Sequence, residues 1–331
     1  MSPVRSPKAV AFDEFEPFRR QLTAYCYRML ASPYDAEDAV QETFIRAWRG
    51  LSRLEDRSGL RPWLYRIATN VCLDTLKGRG RRALPTSVAP ASSRQRWDAS
   101  HELAMGTARP EATWVQPVPD RLIASTGTDP ADAVVGRESV RLAFIAAMQD
   151  LQPRQRAVLI LRDVLRWKAE EVARLLGTST DAVNSLLRRA RTVMDHADLD
   201  AAPAQPRELD LELLGRYVKA FERYDVDALV ALLHDDATLT MPPFELWLRG
   251  TDDIGRFLAA MRGEGGHDRV VTLAANGCPA LAVYRPNPES GDLEAFSIHV
   301  LECAGERIAA IHAFLDPGLF AVFGLPPVFT G

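Results

Sequence analysis

The chain has 331 residues, 47% of them apolar and 25% charged, which is enough for two or three domains with real cores and excludes a disordered tail or a mini-protein. No apolar run approaches the ~20 residues of a bilayer-crossing helix, and the opening MSPVRSPKAV holds no signal-type apolar stretch, so the expectation is a cytoplasmic protein without a membrane partner. The net charge of -4 conceals an asymmetry: residues 1–200 carry 30 basic and 25 acidic side chains and the remainder 10 and 19, or +5 followed by -9, so a polyanion is drawn to the first part and repelled by the second.

From Phe15, the apolar residues Phe18, Leu22, Tyr25, Cys26, Met29 and Leu30 recur at helical spacing. A second stripe follows in Ala36, Ala39, Val40, Thr43, Phe44, Ala47 and Trp48, with Asp35 as the predicted N-cap and an outward face of Asp38, Gln41, Glu42, Ile45 and Arg46. After the polar stretch Leu51 to Gly59, a third helix is marked by Leu60, Trp63, Leu64, Ile67, Ala68, Val71, Cys72 and Leu76, with Pro62 tolerable in its first turn. Trp63 lies on the apolar stripe and reads as core. The basic run Lys77, Arg79, Arg81, Arg82 contains no acidic residue to neutralise it. Residues 14–82 thus form an all-helical domain.

Residues 83–130 lack periodicity and are rich in Pro, Ala, Ser and Thr, which predicts a flexible linker; within it Trp114, Val115 and PVPDRLI read either as a short docking stretch or as an accident of a tether. Residues 131–196 return to helices, at about 132–149, 153–165, 168–176 and 180–194. Ala173, Gly177, Val183 and Leu186 have the spacing of a helix-turn-helix: a small residue where the helices cross, glycine in the turn, and an apolar residue packing the second helix on the first. The second helix carries Asn184, Ser185, Arg188, Arg189 and Arg191, and Leu151 to Met194 holds nine basic against four acidic residues, which favours DNA. From 207 to 327 the pattern becomes α+β: helices at Leu214 to Phe221, Asp227 to Leu233 and Ile254 to Met261, then strand-like runs at Val270 to Ala274, Ala280 to Tyr284, Ala295 to Leu301 and Arg307 to Leu315 in an antiparallel sheet. The cysteines Cys26, Cys72, Cys278 and Cys303 lie far apart and form no CxxC pair, which argues against a zinc ribbon or a disulfide frame; no metal and no cofactor is expected.

DAEDAVQETFIRAW at 35–48, RPWLYRIATNVCLDTLKGRGRR at 61–82 and LQPRQRAVLILRDVLRWKAEEVARLLGTSTDAVNSLLRRAR at 151–191, in that order, resemble the two domains of an extracytoplasmic-function (group four) sigma factor of bacterial RNA polymerase. Residues from Leu209 to about Pro327, ending in HAFLDPGLFAVFGLP, resemble a SnoaL-like cone. The implied fold is two all-α sigma domains, the second with a helix-turn-helix, followed by an α+β cone. The resemblance implies binding to core polymerase through the beta-prime clamp helices and the beta flap, recognition of promoter DNA and transcription initiation, without enzymatic activity. It points to Asp38, Gln41, Glu42, Ile45 and Arg46 as the polymerase-binding face, although read alone these are a solvated polar face. It assigns Arg61, Tyr65, Arg66, Asn70, Lys77, Arg79, Arg81 and Arg82 to the melted minus-ten element. Thr180, Asp181, Asn184, Ser185 and Arg188 become readers of the minus-thirty-five element, with Arg189, Arg191, Arg154, Arg156 and Lys168 on phosphates; Asp181 reads equally as a helix cap. The linker is expected to thread toward the polymerase active-site cleft.

In the cone, His234, His299, His312 and Asp316 are the candidate pocket residues, for a small ligand if one binds. Because the C-terminal part is acidic and tethered to a basic DNA reader, it is expected to regulate the sigma portion intramolecularly. The alternatives are a bifunctional protein whose cone is a small-molecule enzyme or ligand sensor, and a conventional helix-turn-helix activator. Whether an anti-sigma protein exists is left open.

Overall fold

The computed structural model describes residues 14–53, 59–92, 108–123, 139–196, 211–260 and 268–329. They fall into two compact units: Met1–Arg81 with Arg121–Val140 and Phe144–Ala197, and Arg82–Asp120 with Arg141–Ala143 and Asp198–Gly331. No helix among the described residues is long and apolar enough to cross a membrane.

The first unit is helical. Helix α1 (Arg19–Leu30) ends where Ala31 turns left-handed at φ 57° and returns its N–H to Tyr27 O at 2.7 Å. Helix α2 (Pro33–Gly50) is capped by Ser32, whose Oγ accepts from Asp35 N, with Pro33 opening the first turn. Ser32 rather than the expected Asp35 is therefore the N-cap, because a proline at the first helical position requires the cap one residue earlier. Helix α3 (Leu60–Thr75) closes a three-helix core in which Leu22, Tyr25, Val40, Phe44, Leu64 and Tyr65 are each at most 1% exposed. Each such side chain contributes about 1.5–3 kcal/mol.

Beyond α4 (Leu142–Met148) and α5 (Pro153–Leu159), which runs into a π turn at Ile160–Val164, come α6 (Ala169–Leu176) and α7 (Thr180–His196). Gly177 has φ +63°, a left-handed conformation that glycine adopts at no steric cost, and Val183 is fully buried behind the turn. Ser179 Oγ accepts from Ala182 N at 3.2 Å, so the start of α7 has its cap there and Asp181 is left on the exposed first turn.

The second unit holds a six-stranded sheet in the order β2-β1-β6-β5-β4-β3: β1 (Leu233–Thr240), β2 (Trp247–Arg249), β3 (Arg269–Ala275), β4 (Cys278–Pro286), β5 (Leu293–Ala304) and β6 (Arg307–Phe314). The four expected strand runs are β3 to β6. The other two precede them, and β1 lies parallel to β6, so the sheet is mixed rather than wholly antiparallel. Leu281, Leu301, Ile311 and Ala313 on one face join a core with Leu213, Tyr217, Leu229 and Phe257 from α8 (Leu211–Glu222), α9 (Val226–Ala231) and α10 (Thr251–Ala260). Elsewhere in the unit, Tyr284 packs edge-on against Phe320 of α11 (Leu319–Phe323) and against Phe329.

Residues 82–92 and 108–120 belong to this second unit and do not behave as the expected flexible linker. Ala83 N donates to Thr113 O at 2.8 Å, Trp247 Nε1 to Ala89 O at 2.8 Å, Trp114 Nε1 to Pro243 O at 3.0 Å and Asn276 N to Val118 O at 3.1 Å. Trp114, Val115 and Val118 are at most 2% exposed, so burial of these apolar side chains holds a segment whose composition is otherwise that of a loop. The remainder of the expected linker, residues 93–107 and 124–130, lies outside the described residues.

Candidate nucleic-acid and partner surfaces

Asp38, Gln41, Glu42, Ile45 and Arg46 share one face of α2, as their spacing of three and four dictates. Asp38, Gln41, Ile45 and Arg46 are exposed and Glu42 half-buried. Ile45, 36% exposed, is one of three large apolar residues at the surface of the described chain. Arg46 Nε donates to Glu42 Oε1 at 2.6 Å, and Gln41 Nε2 to Glu37 Oε1 at 3.2 Å, so the charged side chains are held in place on the helix.

The candidates around α3 divide. Arg61, Arg66 and Asn70 are exposed. Tyr65 is fully buried, edge-on to Tyr25 and 5.1 Å from Trp167, so it is closed to DNA in this arrangement; Ala68 and Thr69, three and four residues on, are buried with it, which makes that side of the helix core. Trp63, read as core, is instead half-buried and lines a cleft. The basic run is not unneutralised. Lys77 Nζ lies 2.7 Å from Asp74, Arg79 reaches Asp35 at 2.9 Å, and Arg81 pairs with Asp150. The partners stand elsewhere in the sequence, which is why composition within the run misses them. Arg82 departs entirely: it belongs to the second unit, 9% exposed, and donates to the carbonyls of Glu111 and Trp114.

On α7 the buried residues Val183, Leu187, Ala190 and Met194 define the inner face, which leaves Asp181, Asn184, Arg188 and Arg189 exposed and Thr180 and Ser185 half-buried. Arg191 is exposed but engaged in a bidentate pair with Asp163, at 2.7 and 2.9 Å. Arg154 and Lys168 are exposed. Arg156 is not a phosphate ligand here: it is 3% exposed and donates to Gln149 Oε1 and to the carbonyls of Met29, Gln149 and Leu151, and burial lowers its pKa to about 10. Sequence reasoning also passed over Arg28, whose guanidinium donates to Ser139 Oγ and Ala24 O and whose pKa burial likewise lowers to about 10.

The four candidate pocket residues of the cone do not converge. His234 is exposed on β1. His299 pairs in register with Ala313 and His312 with Val300, and because alternate strand residues face opposite sides, the two histidines stand on opposite faces of the sheet. His299 meets Phe221 edge-on and shares a 3.0 Å contact with Ser297; burial, helped by Arg285 and opposed by Asp268, lowers its pKa to about 4. His312 contacts Thr240 Oγ1 at 2.9 Å and Glu302 at 3.7 Å. Burial works to raise the Glu302 carboxyl, but His312, Arg141 and the Ala143 N–H together hold it below the usual glutamate value. Asp316 is half-buried, bonded by Gly318 N, and burial raises its pKa. No group of three or more His, Cys, Asp or Glu among the described residues is placed to hold a metal.

Comparison with known proteins accounts for both units. Family models match Sigma-70 region 2 over residues 15–82, Sigma-70 region 4 over residues 141–194 and a SnoaL-like domain over residues 214–311. The chain is 48% identical over 319 residues to the ECF RNA polymerase sigma factor SigG of Mycobacterium tuberculosis, covering 94% of this chain and 82% of that protein. It is 32% identical over 254 residues to the sigma factor SigJ of the same organism, covering 75% and 72% respectively. The crystal structure of SigJ aligns with a TM-score of 0.58 over 96% of this chain and 99% of that one, at 24% identity, and shows the same fold. The chain belongs to the extracytoplasmic-function sigma factors of RNA polymerase that carry a C-terminal SnoaL-like domain, and it acts with core polymerase in transcription initiation.

Proposed function

We propose that this sigma factor binds the beta-prime clamp helices of core polymerase through the α2 face of Asp38, Gln41, Glu42, Ile45 and Arg46. An exposed apolar residue ringed by fixed charges suits an interface in which electrostatics sets specificity and on-rate more than affinity. The α7 surface of Asp181, Asn184, Ser185 and Arg188 reads the minus-thirty-five element in the major groove, with Arg189 on phosphate. Arg61, Arg66, Asn70, Lys77, Arg79 and Arg81 meet the melted minus-ten strand, the last three after exchanging their carboxylate partners for phosphates. Tyr65 joins them only where its packing is undone.

The C-terminal domain regulates the sigma portion from within the same chain. The observation that carries this reading is the seating of residues 82–92 and 108–120 on the sheet of the second unit. While Trp114 is buried there, the connection between the two DNA-reading regions is not available to thread into the polymerase cleft. The acidic balance of the C-terminal part, at high effective concentration, favours masking of basic faces further.

Truncation after Arg207 with Trp114, Val115 and Val118 changed to serine to keep the shortened chain in solution, assayed by promoter-dependent transcription with core enzyme, tests this: a rise in transcript supports masking, and a loss means that the domain assists polymerase instead. A gel shift with and without core polymerase tests the sigma assignment of the surfaces, since a conventional activator holds its site without core and a sigma factor opens its promoter only with it.

A further inference from the structure

Within the first unit, the start of α3 and residues 165–175 enclose a cleft of about 710 Å³, a size typical of small-molecule sites. Its lining has an unusual chemistry. Arg61, Arg66, Arg166 and Arg174 all line it, and among the described residues none of them forms an ion pair. Among the described residues Glu171 is the one carboxylate of the lining, and its Oε2 already accepts from Lys168 N at 2.7 Å. Two indoles, Trp63 and Trp167, complete the walls. Arg61 lies over the Trp167 ring at 5.5 Å and over Tyr65 at 5.7 Å, so one cation is already stacked on the aromatic side.

Two further features shape the cleft. The indole N–H of Trp167 is buried, in a side chain 7% exposed, and has no hydrogen-bond partner among the described residues. With no accessible surface that N–H is closed to the cleft, and Trp167 serves the site by carrying the guanidinium of Arg61 on its ring. Helix α3, 16 residues long, enters the cleft with Gly59 at its N-cap, no side-chain cap hydrogen bond and no acidic residue in its first turn, so among the described residues nothing answers the positive end of its dipole.

We propose that this cleft binds a nucleoside di- or triphosphate. Phosphates meet the arginines and the α3 N-terminus, and the base stacks on the half-buried indole of Trp63. An inorganic anion would satisfy the arginines but leave the aromatic walls unused, whereas an uncharged aromatic would leave four cations unneutralised. Occupation would tie α3 to α6 and hold Arg61 and Arg66 away from DNA. The inference goes beyond the sigma assignment and is tested without polymerase or promoter.

Isothermal titration of the full-length protein with magnesium-free ATP, tripolyphosphate and adenosine is the experiment. ATP is expected to bind at one site, tripolyphosphate at least about tenfold more weakly, and adenosine without measurable heat. The variant Arg166→Asn/Arg174→Gln removes two exposed arginines; asparagine suits the left-handed backbone at 166, where φ is 57°. This variant is expected to keep its circular dichroism and its melting temperature without ligand, and to lose ATP affinity by at least about tenfold. Hydrogen exchange should show ATP-dependent protection confined to residues 59–66 and 165–175. Absence of saturable ATP binding, unaltered affinity in the variant, or protection elsewhere would overturn the site. Equal affinity for tripolyphosphate would overturn the nucleotide assignment, and adenosine binding as tightly as ATP would overturn the anion site.

Discussion

The two units place their ionisable groups in opposite ways. The first keeps most of its cations at the surface, on α3 and α7, and buries only those arginines, Arg28 and Arg156, whose guanidinium groups find carbonyl and side-chain acceptors. In the second, His299, His312, Glu302 and Asp268 are all at most 8% exposed, and each is spent on internal contacts. A protein that reads DNA needs unspent charge outside. A domain whose polar groups are consumed internally is equipped to hold a shape and present a surface. Residue type alone does not separate these roles: Arg154 and Arg156 stand two apart on α5, one exposed and one buried.

The largest effect expected from this contrast is at Arg156. Arg156→Ala strips donors from three buried carbonyls and should cost about 3–5 kcal/mol in urea unfolding, while Arg154→Ala should stay within about 0.5 kcal/mol. Equal costs would erase the distinction between spent and unspent cations.

Next comes His299. Its folded pKa of about 4 lies below the usual 6.5, so the unfolded chain binds the proton first. The stability it contributes is complete above pH 6.5 and declines as the pH falls toward 4, by up to about 3 kcal/mol. Melting of the full chain between pH 7 and pH 4.5, compared with His299→Phe, measures it: the variant should show a shallower decline, and an unchanged slope would mean that the loss arises elsewhere.

On the outward-facing side of the comparison, Asn184→Ala with Arg188→Ala should reduce discrimination for the upstream promoter element by about 10- to 100-fold in transcription with core enzyme. Undiminished promoter choice would remove α7's exposed face from the groove. The smallest effect is assigned to Asp38→Lys with Glu42→Lys, a loss of about tenfold in affinity for core polymerase that shrinks as salt rises. Affinity insensitive to both would turn that face back into a solvated helix surface.

Much of this organisation is written locally. The helix-turn-helix is legible because Gly177 must be left-handed and Val183 must be inside, two requirements that neighbouring residues impose on each other. The α2 face is legible for a similar reason, since helical spacing alone sorts Phe44 from Ile45. What sequence could not supply is pairing across distance. The carboxylates that answer Arg79 and Arg81 come from Asp35 and Asp150. His299 and His312 look like one pocket until the β5–β6 register puts them on opposite faces. Tyr65 resembles a DNA contact until Trp167 closes over it. Trp114, Val115 and PVPDRLI are the hints inside a stretch of loop composition, and the meaning of Trp114 depends on a partner, Pro243, more than a hundred residues downstream.

That last feature bears on how the gene can be cut. Neither unit is a contiguous length of chain, so a stop codon after residue 207 removes the sheet but leaves Trp114, Val115 and Val118 with nothing to cover them. A greasy, newly bared strip of that kind invites clumping, and a shortened polypeptide made for assay will keep better in solution if those three side chains are exchanged for serine.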